Sequence, residues 1–212
     1  NFLRMLNRLE SLSDWLPVRT SVVLEPLQPD PSHFIFVSHF KQEAGTEATL
    51  FLEAVTMMIT RDPFHVAFDL AVPVFIDTES LSDLSKIKDA VRVSDNLVIL
   101  LTPGMLSRPW CLLEVATAVS HGVSIVPVAV QRPGMDFKYP DEEYYRDLRA
   151  GATLGPDAIR LLHREGVTLE ELEAAIRSVF QQISLPFSPH KSGNVRQAEL
   201  KDILNRCTSR RT

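Results

Sequence analysis

Leu97-Val98-Ile99-Leu100-Leu101 is an unbroken run of apolar residues, and it constrains this chain more than any other stretch. A strand whose side chains are all apolar must be covered on both faces, as in a parallel sheet flanked by helices. Thr102-Pro103-Gly104 then turns the chain, and Pro109 fits the first turn of a helix, where its missing N–H costs nothing. Gly122 is placed to stop that helix. On it, Leu112, Ala116 and Val119 share one face, while Trp110, Glu114, Ala118 and His121 share another. A carboxylate one turn after an indole thus stands near the start of a helix leaving the carboxyl end of a strand. Open α/β sheets bind ligands at that edge. Taken alone, the pair reads as half-buried packing plus a solvated helix residue, since such spacings are ordinary.

The same strand-then-helix pattern recurs along the chain. His33-Phe34-Ile35-Phe36-Val37-Ser38 reads as a first strand, followed by a loop through Gln42 and a helix from Glu43 to Ile59, which Asp62-Pro63 breaks. Residues 64–71 are ambiguous. Val72 to Ile76 is a second strand, then comes a polar loop, then a helix from Asp83 to Val93 with Ile87 and Val91 inward. Val123 to Val130 is the fourth strand. Alternation of this kind means βαβ units, a parallel sheet and right-handed crossovers.

Past Gln131 the signal weakens. The sequence predicts a short helix over 144–150 and a short fifth strand around Ala152-Thr153-Leu154. A helix over 169–183 is predicted with Thr168 and Glu171 as its capping box. Pro186 and Pro189 end the sheet domain, a final helix runs from Val195 to Arg206, and Ser209-Arg210-Arg211 reads as disordered. At the other end, Phe2, Leu3, Leu6, Leu9 and Leu12 keep a helical period before a linker with Pro26, Pro29 and Pro31. The expected division is 1–31 as N-terminal helix and linker, 32–185 as the α/β domain, and 186–212 as a C-terminal extension.

Composition narrows the function. A net charge of −5 speaks against a nucleic-acid surface as the main partner. No apolar run approaches the roughly 20 residues of a membrane span. The chain opens on Asn1 without a signal-peptide pattern, as a piece of a longer protein would, and the expected setting is cytoplasmic. Its two cysteines, Cys111 and Cys207, make no disulfide framework, and Cys111 has no base nearby in sequence to activate it. No G-x-G-x-x-G follows the first strand and there is no Walker loop, which excludes the common dinucleotide and P-loop signatures. A phosphoacceptor receiver would need acidic residues where strands one and three end in Ser38-His39 and Leu101-Thr102.

Four stretches in order resemble the boxes of Toll/interleukin receptor (TIR) domains. They are Phe34-Ile35-Phe36-Val37-Ser38-His39; Val74-Phe75-Ile76-Asp77 with its polar loop; Asp89 through Thr102; and Ser107-Arg108-Pro109-Trp110-Cys111-Leu112-Leu113-Glu114. The last is similar to the Ser-x-Trp-Cys-x-x-Glu motif of the family's NAD+-cleaving branch. The resemblance spans about residues 32–185. It implies a flavodoxin-like three-layer α/β sandwich with a central parallel sheet of four to five strands, flanked by N- and C-terminal helical segments.

The resemblance also implies an activity: cleavage of the nicotinamide–ribose bond of NAD+ to nicotinamide and ADP-ribose or a cyclic form, switched on by homotypic self-association. The alternative within the family is a non-catalytic signalling and assembly module, a role tied to innate immunity. By the resemblance Glu114 is the catalytic residue, facing an oxocarbenium-like transition state that a carboxylate stabilises. Trp110 offers a π-face to the cationic ring. In the same reading His39, Phe40, Lys41 and Asp77 line the substrate pocket, with Lys41 near the diphosphate; the alternatives are a solvated charge at Lys41 and a cap of the following loop at Asp77. Thr78, Glu79, Ser80, Leu81 and Ser82 form the BB loop, an interface. NAD+ is substrate here; no cofactor or metal is expected. The BB loop lacks the Arg-Asp-x-x-Pro-Gly of receptor members, and Ser38-His39-Phe40-Lys41 stands where many enzymatic members carry an aromatic residue and then arginine.

Overall fold

The computed structural model describes residues 32–77 and 84–210. The expected N-terminal helix and linker, and the loop residues Thr78, Glu79, Ser80, Leu81 and Ser82, lie outside them. The elements are β1 (His33–Ser38), α1 (Lys41–Thr60), β2 (Val74–Ile76), α2 (Leu84–Arg92), β3 (Ser94–Leu101), α3 (Pro109–Ser120), β4 (Ser124–Val130), α4 (Glu142–Arg149), α5 (Pro156–Arg164), α6 (Leu169–Val179), β5 (Leu185–Phe187) and α7 (Gly193–Arg206). All strand pairs are parallel, in the order β2-β1-β3-β4-β5. That is the flavodoxin-like order, and the fold class expected from the sequence is the one observed.

Strand side chains alternate between two cores, as the period of two requires. Val37, Val98, Leu100 and Val128 pack with Phe51, Val55, Leu200 and Ile203 from α1 and α7. Phe36, Leu97, Ile99 and Leu101 pack with Ile87, Val91, Leu112 and Ile176 from α2, α3 and α6. All eight residues of β3 are buried, the burden its apolar run announced. Gly122 takes φ +64° just past α3, and the Thr168–Glu171 capping box at the start of α6 forms in both directions.

Three expectations fail for identifiable reasons. Ala152-Thr153-Leu154 is no strand but a bend, squeezed between Gly151 at φ +71° and the Pro156 that opens α5. The fifth strand is Leu185–Phe187, so Pro186 lies within the sheet; it is tolerated because β5 is an edge strand paired only with β4. Strand β5 thus runs across the 185/186 boundary, and α7 adds Leu200 and Ile203 to the same core. Ser209-Arg210 is not a disordered tail. The buried Asn96 side chain acts as a peptide surrogate: Nδ2 donates to the Phe34 and Thr208 carbonyls, and Oδ1 accepts from the Thr208 N–H, each at 2.9 Å. Arg210 then donates to the carbonyls of Arg92, Ser94 and His121.

Candidate functional site

The strand order reverses direction between β1 and β3, which opens a crevice beyond their carboxyl ends. Two loops border it, His39-Phe40 after β1 and Thr102 to Arg108 after β3. They are tied together. Glu43, in the first turn of α1, accepts the Gly104 N–H at 2.9 Å, and the Arg108 guanidinium lies 4.3 Å from the centre of the Phe40 ring. A Cβ on Gly104 would stand 2.8 Å from Glu43 Oε1 and 3.0 Å from the Phe40 ring, so the close approach needs glycine.

Glu114 lies in the second turn of α3. Every residue from Cys111 to Ala118 is buried, so this helix has no solvent face there, and the two faces expected from the sequence merge. Val119, expected with the apolar face, is exposed instead. Glu114 itself is 6% exposed. Ser38, the last residue of β1, shares the sheet face of Phe36 and meets the helix: its hydroxyl donates to Glu114 Oε2. Burial pushes the carboxyl up to about 8; the Ser38 hydrogen bond opposes that rise, and the Asp77 carboxylate adds to it. Around neutral pH the group is therefore mostly protonated.

On the α1 side of the same strand ends is an open cleft of about 480 Å³, lined by His39, Lys41, Asp77, Glu43, Glu47 and Arg132 among others. Three expected pocket residues, His39, Lys41 and Asp77, are thus brought together. Phe40, Trp110 and Glu114 do not line this cleft. Phe40 packs under Arg108, and Trp110 lies half-buried against the α2/α3 core. Asp77 links the two regions, since it lines the cleft and acts electrostatically on Glu114. Burial, with a smaller push from Lys41, holds His39 below the ordinary histidine range, so it enters neutral chemistry uncharged. Burial and the Glu114 carboxylate both push the Cys111 thiol up; its Sγ donates to the His39 carbonyl, and it is no nucleophile.

Sequence reasoning missed Ser38, Glu43 and the Glu47–Arg132 ion pair at 2.8 Å. Ser38 was visible as the polar end of an apolar strand, but a strand-end serine has many uses. Glu47 sits buried among the apolar residues of α1, a pattern that signals a partner without naming it.

Among the described residues no helix is long and apolar enough to cross a membrane, and no group of three or more His, Cys, Asp and Glu is disposed to hold a metal ion. No family model and no curated protein matches the chain. Among solved structures, the TIR domains of the activated Roq1 resistosome, which directly recognises the pathogen effector XopQ, align over 82% of this chain and 98% of that one, with 14% identity and a TM-score of 0.48.

Proposed function

We propose that this chain is a TIR-type NAD+ glycohydrolase, with Glu114 as its catalytic carboxylate and turnover that rises on self-association. The observation that carries the reading is the placement of Glu114: a buried carboxyl, hydrogen-bonded to Ser38 at the β1/β3 switch point, beside a polar cleft. Strongly perturbed carboxyls at such edges are candidates for chemistry. The motif resemblance supplies the substrate.

In the reaction, the bond between the nicotinamide nitrogen and ribose C1′ breaks. Its electron pair stays on the nitrogen, so the leaving group departs neutral and needs no strong acid. The ionised Glu114 stabilises the positive charge at C1′. A water adds to C1′ and gives its proton to the carboxylate, whose value near 8 suits acceptance close to neutral pH. Lys41 and Arg132, the cations of the cleft, bind the diphosphate, and His39 and Asp77 hold the ribose. The half-buried Trp110 borders the nicotinamide end.

The test is incubation of micromolar protein with NAD+ and chromatography of released nicotinamide over a hundredfold dilution series. Release per mole should rise with concentration. A flat, substantial rate refutes activation by assembly. No release by a soluble oligomer refutes the enzyme and leaves the non-catalytic assembly module.

A further inference from the structure

We propose that Ser38 is the positioning residue of this site: its hydroxyl occupies Glu114 Oε2 and fixes the carboxyl against the end of β1. The inference rests on the catalytic reading of Glu114 for its chemical meaning, but its geometry stands apart. Ser38 is 1% exposed, at the last ladder position of β1, opposite Ile99 of β3, so strand pairing on a central strand fixes its Cβ. A serine has a single χ1 rotor and little entropy to lose, so a hydroxyl on this backbone is a stiff anchor. Glu114 is anchored from its own side by a helix buried along eight consecutive residues. Two rigid elements, β1 and α3, therefore meet at Ser38, whose side chain hydrogen-bonds Glu114 and also interacts with the Cys111 thiol of the same helix.

The same contact governs the proton. The titratable groups that face Glu114 are Asp77, beyond the end of β2, and Cys111 on its own helix, the latter next to Arg108. Asp77 disfavours the carboxylate, and a thiol held protonated gives it little help. Ser38 donates to the ionised form and favours it. Removing the hydroxyl leaves a smaller ionised fraction at neutral pH and a carboxyl free to rotate. Serine itself takes no part in bond making.

The experiment reads Glu114 directly. Infrared difference titration of the protonated carboxyl C=O band, assigned by its absence in Glu114→Gln, is run on wild type, Ser38→Ala and Ser38→Cys, alongside pH profiles of nicotinamide release. Ser38→Ala should move the carboxyl midpoint up by about one pH unit, as loss of one charge-assisted hydrogen bond requires, and move the rising limb of the rate profile with it. Ser38→Cys, a weaker donor of similar size, should fall between the two, and it serves if the alanine variant does not fold. A midpoint unchanged in a folded variant overturns the proposal. A shifted midpoint with no nicotinamide release from wild type keeps Ser38 as the anchor of Glu114 and overturns the NAD+ reading instead. A shifted midpoint with an unshifted rate profile in an active enzyme overturns the positioning role.

Discussion

Replacing Glu114 by glutamine should make the protein more stable as the pH rises, while its chemistry disappears. The ordinary glutamate value of 4.5 is raised to about 8 by burial, so the folded state holds a proton that the unfolded chain releases. Between those two values the native state binds more protons than the unfolded state, and stability falls as pH increases. Below about pH 4.5 both states are protonated and nothing is lost; above about pH 8 the full cost is present. At about 1.36 kcal/mol per pH unit, the difference amounts to about 5 kcal/mol of destabilisation of wild type at alkaline pH. Glutamine has the same volume, stays neutral, and still offers an oxygen to Ser38. Its own cost, an amide N–H2 in a buried place, is the same at every pH and cancels from the trend. For a domain of this size each kcal/mol moves Tm by about 2–4 °C, so the Tm advantage of Glu114→Gln should grow by about 10 °C or more from acidic to alkaline buffer. Over the same range nicotinamide release should fall by about 10²–10³ relative to wild type. The assay is thermal unfolding of both proteins in buffers spanning the two values. A difference in Tm that stays constant with pH would show that Glu114 takes up its proton over the same pH range in the folded and the unfolded chain, and the argument from burial would be wrong.

Gly104→Ala should cost about 1–3 kcal/mol, because the added methyl displaces the Glu43 carboxylate and the Phe40 ring that tie the two loops; unchanged Tm would mean the loops give way freely. Asn96→Ala removes three hydrogen bonds at one buried site and should cost about 2–4 kcal/mol, and trypsin should then clip at Arg206 and Arg210 sooner; an equal clipping rate would show that the tail is held without Asn96. Arg132→Ala leaves buried Glu47 without its cation and should cost about 1–3 kcal/mol, most of which Glu47→Gln in the same chain should restore; no recovery in the double variant would assign the loss to Arg132 packing. Thr102→Val deletes a buried hydroxyl with no hydrogen-bond partner in the structure and should raise stability by about 1 kcal/mol; a fall in Tm would reveal a partner.

Most of the sheet was legible because its central strands carry their burial in their composition. Strand β3 could be nothing else, and the capping box at Thr168 and the stop at Gly122 follow from local chemistry that tertiary structure did not override. The fifth strand was not legible. Three residues, one a proline, carry no period, and only the unpaired edge of β4 gives them a place. Helix α5 was not predicted, although Pro156, Asp157 and a basic last turn all fit a helix. The tail was misread for a related reason: what holds it are partners far away in sequence, the Asn96 side chain on Thr208 and the carbonyls of Arg92, Ser94 and His121 on Arg210.

The site was legible in part, and the part that was not is physically informative. Spacing put Trp110 and Glu114 one turn apart, but it could not say that α3 would be enclosed on all sides, because an amphipathic pattern and an enclosed one differ only in what packs against the polar stripe. Enclosure turns Glu114 from a solvated carboxylate into a group whose ionisation works against the fold. One hydrogen bond from Ser38 to the carboxylate offsets only a fraction of that cost, and Asp77 increases it. A leucine or methionine of similar volume at this position would pack in the same space without the penalty, as replacements of buried charged groups by apolar ones commonly do. Local structure therefore supplies no stabilising reason for an acid here. The reason has to come from outside the folding balance, and the catalysis proposed above, at the carboxyl end of β1 beside a cleft that gathers His39, Lys41 and Arg132, would supply one.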